Sequence, residues 1–178
     1  MRALLLCLVF LIVLNAQETR TEVTKATTPA DDSKANSGKV PEVYALSGNF
    51  SRVVVLRFKY QADLLEGIED MMKREKIRNG VILAGAGSVR NYHIHSVSNR
   101  TFPSKNTYVK NPTAPADIIS MNGYIIDGKI HAHMTMANPD RAFGGHLEPG
   151  TNVFTFAIVT IGVMNDVDLS RVDDKTYR

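Results

Sequence analysis

Cysteine is nearly missing from this chain: Cys7 is the single one among 178 residues, and it sits inside an apolar run at the amino terminus. Without that run, disulfides, a thiolate nucleophile and sulfur metal ligands are all excluded, so any metal ion must be held by nitrogen and oxygen. Charge of one sign is also scarce. Lys and Arg number 21 against 18 Asp and Glu, a formal net charge of +3, which describes an ordinary solvated surface and not the basic field of a dedicated nucleic-acid binder. The chain has no Gly-x-Ser-x-Gly nucleophile elbow, no phosphate-binding loop and no visible repeat. Gly85-Ala86-Gly87 starts like a dinucleotide fingerprint, but Arg90 occupies the third glycine's place. These glycines are read instead as permitting close packing of strands.

What is present begins with a leader. Arg2 supplies a short positive region, and Ala3 to Leu14 is unbroken apolar sequence. Such a run is too short for a bilayer-spanning helix of about 20 residues and matches the core of a secretory signal peptide. The stretch Asn15-Ala16-Gln17 places cleavage near Ala16 or Gln17. Leu14 at the minus-three position is not the small residue a peptidase prefers, so a retained amino-terminal anchor is the alternative. Cys7 lacks the small residues ahead of it that lipidation requires. Residues 1–17 are therefore read as a signal peptide, giving an extracytoplasmic protein, periplasmic or secreted. Residues 18–40 are Thr, Ala, Ser, Asp, Lys and Glu with few large apolar side chains, and read as a disordered tether. Residues 41–178 have the size of one ordinary domain.

Within the domain, Val43 to Leu46 and Arg52 to Phe58 are β-prone runs separated by the Ser47-Gly48-Asn49 turn signal. Asp63 with Glu66 three residues on has the form of a capping box. Leu64, Leu65, Ile68, Met71 and Met72 then recur at helical spacing along one face. Lys73, Arg74, Lys76 and Arg78 close this helix against the negative end of its dipole, with Asn79-Gly80 as the left-handed stop. Val81 to Gly87 and Val89 to Val97 read as two strands, the first completing a strand-helix-strand unit. Asn99 to Ala116, with three prolines, reads as a long loop. Asp117 to Ile126 and Lys129 to Met136 form a hairpin about Asp127-Gly128. Val153 to Val163 is the last strand, and the polar tail from Asn165 is placed on the surface. The class is α/β of the α+β type, with a mixed, mostly antiparallel β-sheet and few helices.

His131-Ala132-His133 lies on the second hairpin strand, where alternation puts both imidazoles on one face and Ile130, Ala132 and Met134 on the other. His146 follows in Gly144-Gly145-His146-Leu147, where two glycines let the backbone turn tightly enough to aim a third imidazole back at the strand. Three neutral imidazoles with a position left open suit a divalent metal, zinc foremost, with iron, nickel or copper also compatible. Paired strand histidines are also common polar surface residues, so spacing alone leaves both readings open. His93-Ile94-His95 repeats the pattern and reads as further ligands, a proton relay, or solvated surface histidines. Glu148 and Asp140 lie near the histidines in sequence, and Glu148 is the candidate catalytic base for a bound water.

The run Gly123-Tyr124-Ile125, His131-Ala132-His133, Gly144-Gly145-His146-Leu147 and Pro149-Gly150, with Leu64 to Gly87 upstream, resembles the PPC domain. This is the plants-and-prokaryotes conserved domain, stand-alone in bacteria and archaea and fused to AT-hooks in plant nuclear proteins. The resemblance implies an α/β fold, a homotrimer, and a metal held by His131, His133 and His146, together with the family's DNA-binding label. The chain lacks an Arg-Gly-Arg-Pro AT-hook and starts with an export signal, which speaks against nucleic acid as a partner. The expectation is an exported metal-binding protein acting on or holding an unknown small molecule, as a hydrolase or lyase or without catalysis. DNA binding ranks last.

Overall fold

The computed structural model describes residues 17–23, 41–100 and 104–172. The leader up to residue 16, and residues 24–40 of the expected tether, lie outside the described residues. Along the chain come β1 (Glu18–Val23), β2 (Arg52–Phe58), α1 (Leu64–Arg74), β3 (Gly80–Val97), β4 (Lys105–Asn111), β5 (Ala116–Ile126), β6 (Lys129–Ala137), β7 (Ala142–Leu147) and β8 (Asn152–Val163), then a 3-10 turn at Leu169–Arg171. All eight strands belong to one sheet.

The helix forms where the apolar spacing predicts. Asp63 Oδ1 accepts the Glu66 N–H at 3.0 Å, while its other oxygen accepts the Gly150 N–H at 2.6 Å, so one carboxylate starts the helix and anchors a distant loop. Leu64, Ile68 and Met72 are buried, and that burial contributes about 6 kcal/mol before entropy is counted. The stop differs from expectation. Lys76, not the Asn79-Gly80 pair, takes the left-handed conformation at φ 53°. Ile77 N–H then donates to Met72 O and Lys76 N–H to Lys73 O, a Schellman motif sealed by the buried Ile77 against Met72. Asn79 instead uses its side-chain oxygen to accept the Asp127 N–H.

The sheet is mostly antiparallel as expected, and every ladder among the described residues is antiparallel. The strand-helix-strand unit is real but split: β8 inserts between β2 and β3 and pairs with both. Val81 to Val97 is one long strand, not two. Register shifts around Gly87 and Val89 bend it without ending it. Gly87, at φ 147°, sits where a Cβ would run into the Phe156 carbonyl and Ala157, so it serves close strand packing, as expected of that glycine pair. The bent β3 carries β4 and β5 along one edge and β7 and β8 along the other. The path β3–β5–β6–β7 therefore returns to β3, and the sheet closes on itself.

Four further expectations are corrected. Val43 to Leu46 form no strand; Leu46 packs on Ile126, Val167 and Leu169. That cluster also draws in the tail beyond Asn165, where Val167 and Leu169 are buried. The segment read as a loop over Asn99 to Ala116 contains β4, because Thr107-Tyr108-Val109 is β-prone despite the flanking prolines. The start of the expected tether forms β1 on the edge of β4, where alternating Thr19, Thr21 and Val23 suit an extended strand.

Lys76 carries a Cβ in a conformation that favours glycine. Lys76→Gly is expected to stabilise the domain by about 1 kcal/mol, read as a higher midpoint in urea. An unchanged or lower midpoint would show that the left-handed turn is not strained.

Candidate metal centre

Three neighbouring strands build the site. β7 lies between β6 and β3, so His146 stands opposite His133 on one side and His95 on the other. Directly opposed residues of antiparallel strands project to the same face. His131, two residues from His133 on β6, shares that face by alternation, and Ala132 and Met134 are buried beneath. The ligand nitrogens of His131, His133 and His146 lie within 4.8 Å of one another.

The expected turn at Gly144-Gly145 is instead extended backbone inside β7. The glycines are needed because β7 is squeezed between two strands. A Cβ on Gly144 would run into the Met134 carbonyl, and one on Gly145 into the His95 carbonyl. They aim His146 by close approach and not by turning the chain.

Burial, and then the neighbouring imidazoles His95, His131 and His133, push the His146 pKa down to about 4. Burial, then His131 and His95, also lowers that of His133. At neutral pH both therefore present neutral imidazoles, the protonation state metal ligation requires. Regular tetrahedral ligation at 2.0–2.1 Å sets nitrogens about 3.4 Å apart, so the trio needs only small rotations to fit an ion. The residues present fit a divalent metal.

The second histidine pair divides its roles. His95 joins the centre: its ring stacks on His146 at 4.6 Å, and its Nδ1 meets Glu148 Oε1 at 2.5 Å. Glu148 thus reaches the site through His95. His93 is structural, pairing its Nδ1 with Pro149 O at 2.8 Å. Thr151, fully buried, accepts the His93 N–H, and its hydroxyl faces the His93 and Glu148 carbonyls. These bonds pin the loop that carries Glu148. Asp140 lies in the β6–β7 turn, beyond the Ala137–Ala142 pair that ends the ladder from His133–His146, and is not brought to the centre. Sequence reasoning missed Tyr108, whose ring lies 4.8 Å from His95, because its segment read as a loop. Asn122, opposite His133, was missed as well, although strand alternation would have placed it on the same face as Tyr124.

The sequence pattern of the Plants and Prokaryotes Conserved (PCC) domain family matches residues 45–165. Among solved structures, the chain resembles a plant- and prokaryote-conserved protein of Pyrococcus horikoshii at TM-score 0.57 and 22% identity, covering 71% of this chain and 87% of that one. It also resembles a metal-containing protein of Archaeoglobus fulgidus at TM-score 0.56 and 21% identity, covering 68% and 86%. A curated relative, the Bifunctional protein GlmU of Synechococcus sp. (strain JA-3-3Ab), is 24% identical over 124 residues, 69% of this chain. The chain spans 19% of that relative's length.

Gly145→Ala is expected to cost about 3 kcal/mol of folding stability, measured by urea unfolding, because β7 must move off β3. Unfolding at the wild-type urea concentration would refute the close-approach role of this glycine.

Proposed function

The chain belongs to the Plants and Prokaryotes Conserved domain family, and from that premise we propose that it is an exported protein binding one divalent metal ion on His131, His133 and His146. The convergence of three imidazole nitrogens within 4.8 Å carries this reading. The metal-containing protein of Archaeoglobus fulgidus, similar in fold, supports it. Zinc is the best match to an all-nitrogen trio with an open position, and iron, nickel and copper share the ligand preference. When bound, such an ion supplies Lewis acidity toward water or a substrate oxygen.

The chain's own residues do the rest. Neutral His146 and His133 offer lone pairs without first losing a proton. Glu148 accepts from His95 Nδ1, which fixes that ring against His146. Glu148, the expected base, is thus a positioning residue acting through His95. Two uses fit this centre, hydrolytic or lyase chemistry on a small molecule and non-catalytic ligand binding. Turnover lost on chelation marks the first; metal-dependent stability without turnover marks the second.

The family's DNA-binding label draws little from the surface. Arg78 pairs with Asp127 and Arg52 with Glu75, so two cations near the end of α1 are neutralised. A homotrimer would seat on β2 and β8. Val53 and Val55 of β2 and Phe154, Phe156 and Ile158 of β8 are exposed large apolar side chains on paired strands, a concentration that marks protein contact.

Elemental analysis of the purified protein is expected to find near one ion per chain, lost in the His131→Ala/His133→Ala double variant; a metal-free, folded wild type would sink the metal reading. Light scattering is expected to give three chains per particle, dissociating with Phe156→Glu. A monomeric wild type would remove the trimer.

A further inference from the structure

The two sides of the centre differ. Across the sheet the opposed residues run Tyr108, His95, His146, His133, Asn122, and opposed residues share one face. On the β4 side the row is filled. The Tyr108 ring lies 4.8 Å from His95, His95 stacks on His146, and Glu148 holds His95 Nδ1. The His95 and Glu148 side chains are 17% and 20% exposed. On the β5 side the row opens. A cleft of about 390 Å³ begins at His133 and runs along β6 and β7 past Thr135 and Gly144, a size within the range of small-molecule sites. Asn122 and Thr135 bring exposed side chains to it. Among the described residues, neither side chain has a hydrogen-bond partner. Gly144, opposite Thr135, adds no side chain, so the floor there is backbone. No carboxylate, ammonium or guanidinium lines the cleft; the Arg141 guanidinium rests on the Phe143 ring, 5.2 Å from its centroid.

The geometry points to this cleft as the seat of a small uncharged molecule, with Asn122 recognising its carboxamide group while its other end gives an oxygen to the ion held by His131, His133 and His146. The assignment rests on the metal reading above and names the ligand class and a specificity-determining residue for it. An asparagine amide offers N–H donors and a carbonyl acceptor side by side, and a carboxamide matches both at once. A carboxylate offers acceptors alone and an ammonium donors alone, so either leaves half of the Asn122 amide unmatched. Either would also give up hydration in a cleft that holds no opposite charge. Asn122 is one strand from His133, about 4.8 Å, so a short chain joins the two ends of the ligand. The Thr135 hydroxyl, about 7 Å further along β6 from His133, is the next polar group the ligand meets.

The test is calorimetric titration of the full zinc-loaded chain with straight-chain hydroxamates, whose heads bind zinc through oxygen. Their tails end in a carboxamide, a carboxylate or an ammonium group at matched length. The wild type is expected to favour the carboxamide tail over both charged tails by about tenfold at the best length. That preference is expected to vanish in Asn122→Leu and to move to the ammonium tail in Asn122→Asp. Zinc affinity is expected to stay unchanged in both variants, which also shows that they fold. A zinc-loaded wild type indifferent to the tail, or a preference that survives Asn122→Leu, would overturn this assignment and leave the metal reading standing. A wild type that binds no zinc would end the metal reading and the assignment together.

Discussion

Everything at the candidate site depends on β7 fitting between β6 and β3. That strand has six residues, Ala142–Leu147, and it closes the sheet on itself. It fits because Gly144 and Gly145 leave room for the carbonyls of Met134 and His95. Once it is in place, His146 stands opposite His133 and His95 together. The site is therefore a consequence of strand register and not of loop conformation, which keeps the imidazoles on rigid backbone.

The loop after β7 extends the same logic. Asp63 caps α1 and also holds Gly150, while Thr151 and His93 tie the loop to β3. Glu148 is thereby delivered to His95 by the same bonds that dock the helix. Folding and site assembly share these groups. The low pKa of His146 follows from partial burial among other imidazoles, so the fold itself keeps that imidazole neutral.

Much of this was legible in the sequence, for physical reasons that can be named. Helical spacing from Leu64 to Met72, the Asp127-Gly128 hairpin and the alternation of His131 and His133 are local signals, and each holds in the structure. The misreadings arose where distant pairing decides local form. Gly144-Gly145 looks like a turn until its two neighbouring strands are known. Thr107-Tyr108-Val109 looks like part of a proline-flanked loop until β3 offers it an edge. Lys76 took the left-handed position because burial of Ile77 set the chain direction there. His95 could be seen as a candidate, but only register brings it against His146 and Glu148.

The most direct test of the account is an anomalous difference map of zinc-soaked crystals, collected at the zinc absorption edge. The account predicts one strong peak per chain, bounded by nitrogens of His131, His133 and His146, with His95 stacked beside it. A map with no peak among those three imidazoles, or with the ion held elsewhere on the chain, would contradict it.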